Sequence, residues 1–140
     1  MFGNCVWAQL SSIHPINNNI LNFTRLFHLP SFNAHLTLDY DLKTPFIKEN
    51  YELDDLVIDG NPYITNKNNF YAIQQDYFMK NNPEKKLHIS LAYKNGKEFT
   101  NKEIDFIRYM KMDDEISKKD LKVQLWNCNS INPSSWKMLA

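Results

Sequence analysis

A chain of 140 residues is the size of one ordinary domain, long enough to bury roughly two thirds of the surface its unfolded form exposes. Its 43 % hydrophobic and 23 % charged residues exclude the disordered class, which combines low hydrophobicity with high net charge. Sixteen basic residues balance sixteen acidic ones, which excludes the global positive field that holds long nucleic acids, so a nucleotide ligand is expected to be short.

No apolar run of about 18 residues is present and the N-terminus lacks a basic-then-apolar signal, so the expectation is a soluble, cytoplasmic protein with no membrane partner. Cys5 and Cys128 have no CxxC spacing and read as reduced thiols, with no disulfide framework and no zinc site. Asparagine occurs 18 times, and lysine 14 times against two arginines, a bias that AT-rich coding produces, as in a viral genome.

In chain order, residues 5–10 form a β-prone run. Residues 15–27 then place Ile16, Ile20, Phe23 and Phe27 at helical spacing, with Pro15 in the first turn and the Leu29-Pro30 step ending the helix. Residues 34–40 read as a strand. Asp59-Gly60-Asn61-Pro62 is a turn signal between the strand at 56–58 and a second at 70–77. A polar connection over residues 80–83 leads to a strand at 87–93, turned by Asn95-Gly96. Thr100 and Glu103 form a capping-box pattern that opens a helix carrying Ile104 and Ile107 on one face and reaching Met110 or Lys111. Residues 121–127 alternate as a last strand. Two helices and six strands, often adjacent in sequence, give one α+β domain, residues 1–140, with mainly antiparallel pairing and no dividing linker.

One internal repeat decides the functional reading. His35-Leu36-Thr37-Leu38-Asp39-Tyr40 and His88-Ile89-Ser90-Leu91-Ala92-Tyr93 both spell His, aliphatic, hydroxyl, Leu, any residue, Tyr. Alternation along a strand puts His35 with Thr37, and His88 with Ser90, on one face. Leu36, Leu38 and Tyr40, and Leu87, Ile89, Leu91 and Tyr93, are expected on the other.

Transesterification of a phosphodiester by a neighbouring ribose hydroxyl needs one group to remove a proton and another to donate one, and two histidines of opposite protonation do both. Hydroxyls beside them can donate to the non-bridging oxygens where charge builds. His35, His88, Thr37 and Ser90 are therefore the candidate catalytic residues, with no metal and no cofactor required. His14, before Pro15, and His28, at a helix end, read as structural or surface residues.

These paired His-x-Ser/Thr strands resemble the 2H phosphoesterase superfamily, over roughly residues 4 to 95. The resemblance implies a bilobal fold of two pseudo-symmetric lobes of mainly antiparallel sheet with helices outside, one motif on each side of a cleft. The chain departs from many members in lacking room for a helix before the second motif, His35 and His88 being 53 positions apart (88 minus 35). In size and composition it is most similar to compact viral members, such as the domains of coronaviruses, rotaviruses and the end of the torovirus polyprotein. These destroy 2′,5′-oligoadenylate and so antagonise host RNase L signalling. The implied protein is a monomeric, metal-independent 2′,5′-phosphodiesterase of the host cytoplasm, acting on short oligonucleotides. A cyclic oligonucleotide phosphodiesterase or an RNA 2′,3′-cyclic phosphodiesterase would need the same four residues, and a nucleotide-binding module is the non-enzyme alternative.

Strand parity adds candidate binding residues. With Leu121, Val123 and Leu125 in the core, Lys122, Gln124 and Trp126 share the opposite face, and Val6, Ala8 and Leu10 likewise leave Trp7 with Gln9. Trp7 or Trp126 is expected to stack a base and Lys122 to meet a phosphate, with Gln124 a further candidate substrate-binding residue on the same face.

Overall fold

The computed structural model describes residues 3–110, 112–130 and 132–140; Lys111, the outer limit expected for the second helix, lies outside them. The elements run β1 (Asn4–Leu10), α1 (Pro15–Leu26), β2 (His35–Asp39), β3 (Leu56–Lys67), β4 (Phe70–Met79), β5 (Asn82–Asn95), α2 (Asn101–Tyr109), β6 (Glu115–Ile116), β7 (Leu121–Asn127) and β8 (Lys137–Met138). Among the described residues the strands form one sheet in the order β6-β3-β4-β5-β2-β1-β7-β8, with every neighbouring pair antiparallel. The α+β class with antiparallel pairing is as expected. The strands are contiguous, and the two groups of four meet where β5 lies against β2.

Alternation along the strands divides the apolar residues between two faces. On one, Leu36, Leu87, Ile89 and Leu91 pack with Ile16, Ile20 and Phe23 of α1 and Ile107 of α2. Phe23, Phe27 and Phe106 lock the two helices together at ring separations of 5.0–5.8 Å. On the other, Cys5, Trp7, Phe70, Ala72, Tyr93, Cys128 and Trp136 form a smaller cluster. Helices therefore cover only one face, and the other is left for a site.

Local chemistry sets the helix ends. His14 caps α1, its Nδ1 accepting from the Ile16 N–H at 3.2 Å while Nε2 meets Asp113 at 3.3 Å. At the other end His28 takes φ 56°, and the bonds from His28 N–H to Arg25 and from Leu29 N–H to Thr24 close a Schellman turn. Both histidines are structural. Thr100 and Glu103 form the expected capping box, and the Glu103 carboxylate also receives Lys94 Nζ of β5 at 2.6 Å, tying α2 to the strand that carries the second motif.

The turn expected at residues 59–62 does not form. β3 runs straight through it as a bulge, with register slipping between Asp59 and Tyr63. The buried Gln75 amide of β4 donates to the carbonyls of Asp59 and Gly60 at 3.4 and 3.0 Å, so the bulge is satisfied from inside. Pro62, with no N–H to offer, is tolerated at such a bulge. The hairpin turns instead at Asn68-Asn69, both at positive φ (53° and 62°), the backbone of a type I′ turn. Similarly, β5 begins at Asn82 rather than at 87, after a two-residue turn at Lys80-Asn81 that pairs Met79 with Asn82. Pro83 falls in the following irregular stretch. The two-residue strands β6 and β8 carry no periodicity and were not anticipated. Among the described residues no helix is long and apolar enough to cross a membrane.

Glu103→Ala should lower the unfolding free energy by about 1–3 kcal/mol, because it removes the cap and leaves Lys94 half-buried without its partner. Burial pushes the Glu103 carboxyl up, but its bonds to Lys94 and Thr100 outweigh that and hold it below the usual range. The contribution is therefore present at neutral pH and is lost as pH falls through the lowered pKa. Urea titrations at pH 7 and in acid should show a deficit only at the former, and an unchanged midpoint at pH 7 would contradict this role.

Candidate active site

β2 and β5 are neighbours, and their antiparallel register sets Leu36 opposite Ile89. One residue either way, that register brings His35 level with Ser90 and Thr37 level with His88. The two motifs thus run past each other about a local twofold, and all four polar side chains emerge on the face without helices. They line one open cavity of about 620 Å³.

The two imidazoles sit in different surroundings. His35 is buried at 6 % exposure, with its ring stacked on Trp7 at a centroid distance of 3.5 Å and an angle of 13°. Its Nδ1 lies 2.9 Å from the Asn33 carbonyl. A carbonyl only accepts, so Nδ1 carries the proton and Nε2 keeps its lone pair. Burial drives the His35 pKa down to about 4, with the Asn33 carbonyl opposing and His88 adding to the fall. His88 is lowered too, by burial, but the Asp76 charge pulls it back up. Asp76 stands opposite His88 across β4 and β5 and accepts a hydrogen bond from the Tyr63 hydroxyl at 2.5 Å.

A second bulge corrects the expected partition of the motif tyrosines. Ile73 pairs with Ala92 but Gln74 pairs with Ser90, so Leu91 is an extra residue. Leu91 and Ala92 both join the helix-side core, and Tyr93 is thrown to the cavity face among Trp136, Phe70 and Phe32. Tyr40, just past the end of β2, also lines the cavity. Tyr93 stands near Ser90 and Tyr40 near Thr37 around the same cavity, repeating the local symmetry. Burial raises both phenols, and neither leaves the neutral form near pH 7.

The expected binding residues do not act together. Trp7 lines the cavity, but one ring face is covered by His35 and it also stacks on Trp126 at 4.6 Å, so it supports the imidazole and leaves no face for a base. Trp126 donates from Nε1 to Gln124 Oε1 at 3.0 Å, and neither lines the main cavity. Lys122 is exposed, opposite Gln9 at the far end of β7. Residues not anticipated take these places. Thr65 and Lys67 reach the cavity from β3, Gln74 stands beside Ser90, and Trp136 comes from the C-terminal segment. Continuing the strand alternation past Pro62 would have found Thr65 and Lys67; no pattern marks Trp136.

Among the described residues no three His, Cys, Asp or Glu side chains gather as metal ligands. What the arrangement offers chemically is one imidazole lone pair, one imidazole with an adjacent carboxylate, two hydroxyls and the Lys67 ammonium around a single space. No family model matches the chain, and no curated protein matches it.

In nitrogen-detected NMR, His35 should remain the neutral Nδ1–H tautomer down to pH of about 4. Because the His35 pKa is lowered from the ordinary 6.5 to about 4, the unfolded chain binds the proton more readily, and folding carries a penalty that is absent well above pH 6.5 and grows to about 3 kcal/mol as pH falls to 4 and below. Titration of His35 in the ordinary range would contradict the buried, carbonyl-bound assignment.

Proposed function

We propose that the chain is a metal-independent phosphodiesterase of the 2H class, whose bilobal character lies in the two strand groups meeting at β2 and β5. More particularly, we read it as a 2′,5′-oligoadenylate phosphodiesterase that removes a host antiviral messenger in the cytoplasm. The observation that carries the class is the antiparallel pairing of two His-x-Ser/Thr strands, which offers two imidazoles and two hydroxyls to one phosphate. The adenylate linkage follows from the resemblance to compact viral members.

The unequal histidines support a division of labour. His35 Nε2, neutral and unprotonated, takes the proton from the ribose 3′-hydroxyl beside the scissile bond. That oxygen attacks phosphorus and closes a 2′,3′-cyclic phosphate. His88, with Asp76 beside it favouring the imidazolium, gives its proton to the departing 5′-oxygen. Thr37 and Ser90 donate to the non-bridging oxygens as charge builds. Opening of the cyclic ester by water runs with the histidine roles exchanged.

His35→Ala and His88→Ala should each lower kcat by about 10²–10⁴-fold on a 2′,5′-adenylate trimer, and Thr37→Val or Ser90→Ala by about 10²-fold, without loss of fold. Near wild-type turnover in either histidine variant would overturn the mechanism. The working form has His35 neutral and His88 protonated. Since both titrate below their ordinary value, kcat/KM should be bell-shaped on the acid side of neutrality, its lower limb near pH 4. A maximum above pH 7.5 would contradict these roles. The 2′,5′ trimer should be cleaved faster than its 3′,5′ isomer, and chelators should not inhibit; equal rates on the two linkages would remove the antiviral reading and leave the two-histidine mechanism.

A further inference from the structure

Behind the Trp7 and Trp136 wall of the main cavity lies a second pocket, of about 180 Å³. Gln9 lines it. This side chain is only 8 % exposed, yet its amide oxygen and nitrogen are both buried without a hydrogen-bond partner. Buried polar groups in folded proteins are hydrogen-bonded in the great majority. Gln124 accepts from Trp126, and Gln75, whose oxygen is also buried without a partner, still places its nitrogen on backbone carbonyls at 3.0–3.4 Å; of these three side chains it is Gln9 that has neither amide atom paired. Gln9 therefore marks a place built for something that supplies one donor and one acceptor side by side.

The walls say what that something is. Trp126, Trp136 and Phe32 make the pocket aromatic, and no charged residue lines it, so it suits a flat neutral ring better than a phosphate. At about 180 Å³ the pocket exceeds the roughly 150 Å³ that holds benzene and falls short of the about 300 Å³ that drug-sized ligands take, the range of a base alone with its sugar left outside. Ser134 Oγ donates to the Ser31 carbonyl at 3.3 Å, bridging the two loops at the exposed rim. Pairing across β1 and β2 sets Gln9 opposite His35, so the occupant lies one strand position from the proposed general base.

We propose that this pocket is the nucleobase subsite, in which the Gln9 amide pairs with the edge of an adenine while aromatic walls flank the ring. A glutamine amide matches adenine by accepting from N6–H and donating to N7, and base-on-aromatic contact adds sequence-tolerant affinity. The proposal rests on the phosphodiesterase reading for its link to catalysis, but not for its ligand.

Adenosine, which has no phosphodiester, tests it apart from turnover. It should bind the wild-type protein, followed by calorimetry and tryptophan fluorescence, with uridine binding more weakly. Gln9→Leu replaces an unsatisfied buried amide by an apolar group of similar size, so its melting temperature should equal or exceed wild type, while its adenosine affinity falls at least tenfold. Ser134→Trp fills the pocket from its exposed rim, leaves the buried amide untouched, and should weaken adenosine as much. With the 2′,5′-adenylate trimer, Gln9→Leu should raise KM more than it lowers kcat. No adenosine binding by wild type, as expected if water alone fills the pocket, overturns the subsite, as does unchanged affinity in both variants. Either result alongside normal trimer cleavage leaves the phosphodiesterase standing. Adenosine binding that both variants weaken, with no cleavage of any adenylate, upholds the subsite and overturns the enzyme.

Discussion

The single pairing of Leu36 with Ile89 fixes everything that follows from it. Both side chains are fully buried on the helix side of the sheet, packed with α1 and with Leu87 and Leu91, and a slip of one residue would turn either apolar set toward solvent. Because the register is pinned by that burial, the polar residues on either side have no choice of neighbour. His35 meets Ser90, Thr37 meets His88, and four groups from segments 53 positions apart converge on one space. The core specifies the site by excluding every other alignment of the two strands.

Local symmetry of the backbone then meets asymmetry of environment. His35 is enclosed by Trp7 and tied to the Asn33 carbonyl, while His88 is only partly enclosed and faces Asp76 across the strand pair. Identical imidazoles are thereby held in unequal surroundings, the asymmetry on which the proposed division between base and acid rests. The aromatic cluster of Trp7, Trp126 and Trp136 is central to this, since it desolvates His35 on one side and walls the Gln9 pocket on the other. Removing Trp7 would therefore alter the surroundings of His35 and of the Gln9 pocket at once.

Much of this was legible in the sequence, and the rest was not for identifiable reasons. Period-two alternation revealed which face carries His35, Thr37, His88 and Ser90, since burial enforces it. Capping chemistry located α2 at Thr100, and Pro15 opened α1. Asp59-Gly60-Asn61-Pro62 misled because Gln75, a residue remote in sequence, supplies hydrogen bonds that let a turn-prone tetrapeptide remain in a strand. Tyr93 was misplaced because the bulge at Leu91 adds one residue to a strict alternation. Trp7 and Trp126 were assigned to the correct side of the sheet, but whether they face a ligand or each other depends on Trp136, which arrives from the far end of the chain. Gln9 was placed beside Trp7 on that face but given no role, because an unsatisfied amide is visible only when its surroundings are.

In the proposed reaction the His35 and His88 pair drives attack of a ribose hydroxyl on the neighbouring phosphorus. Phosphorus NMR of a 2′,5′-adenylate trimer incubated with the protein in excess chelator reads that step directly. The account predicts that a 2′,3′-cyclic phosphate resonance rises and then decays to monoester, and that it is missing with His35→Ala. A spectrum that stays unchanged, or that passes straight to monoester with no cyclic ester at any time, would contradict it.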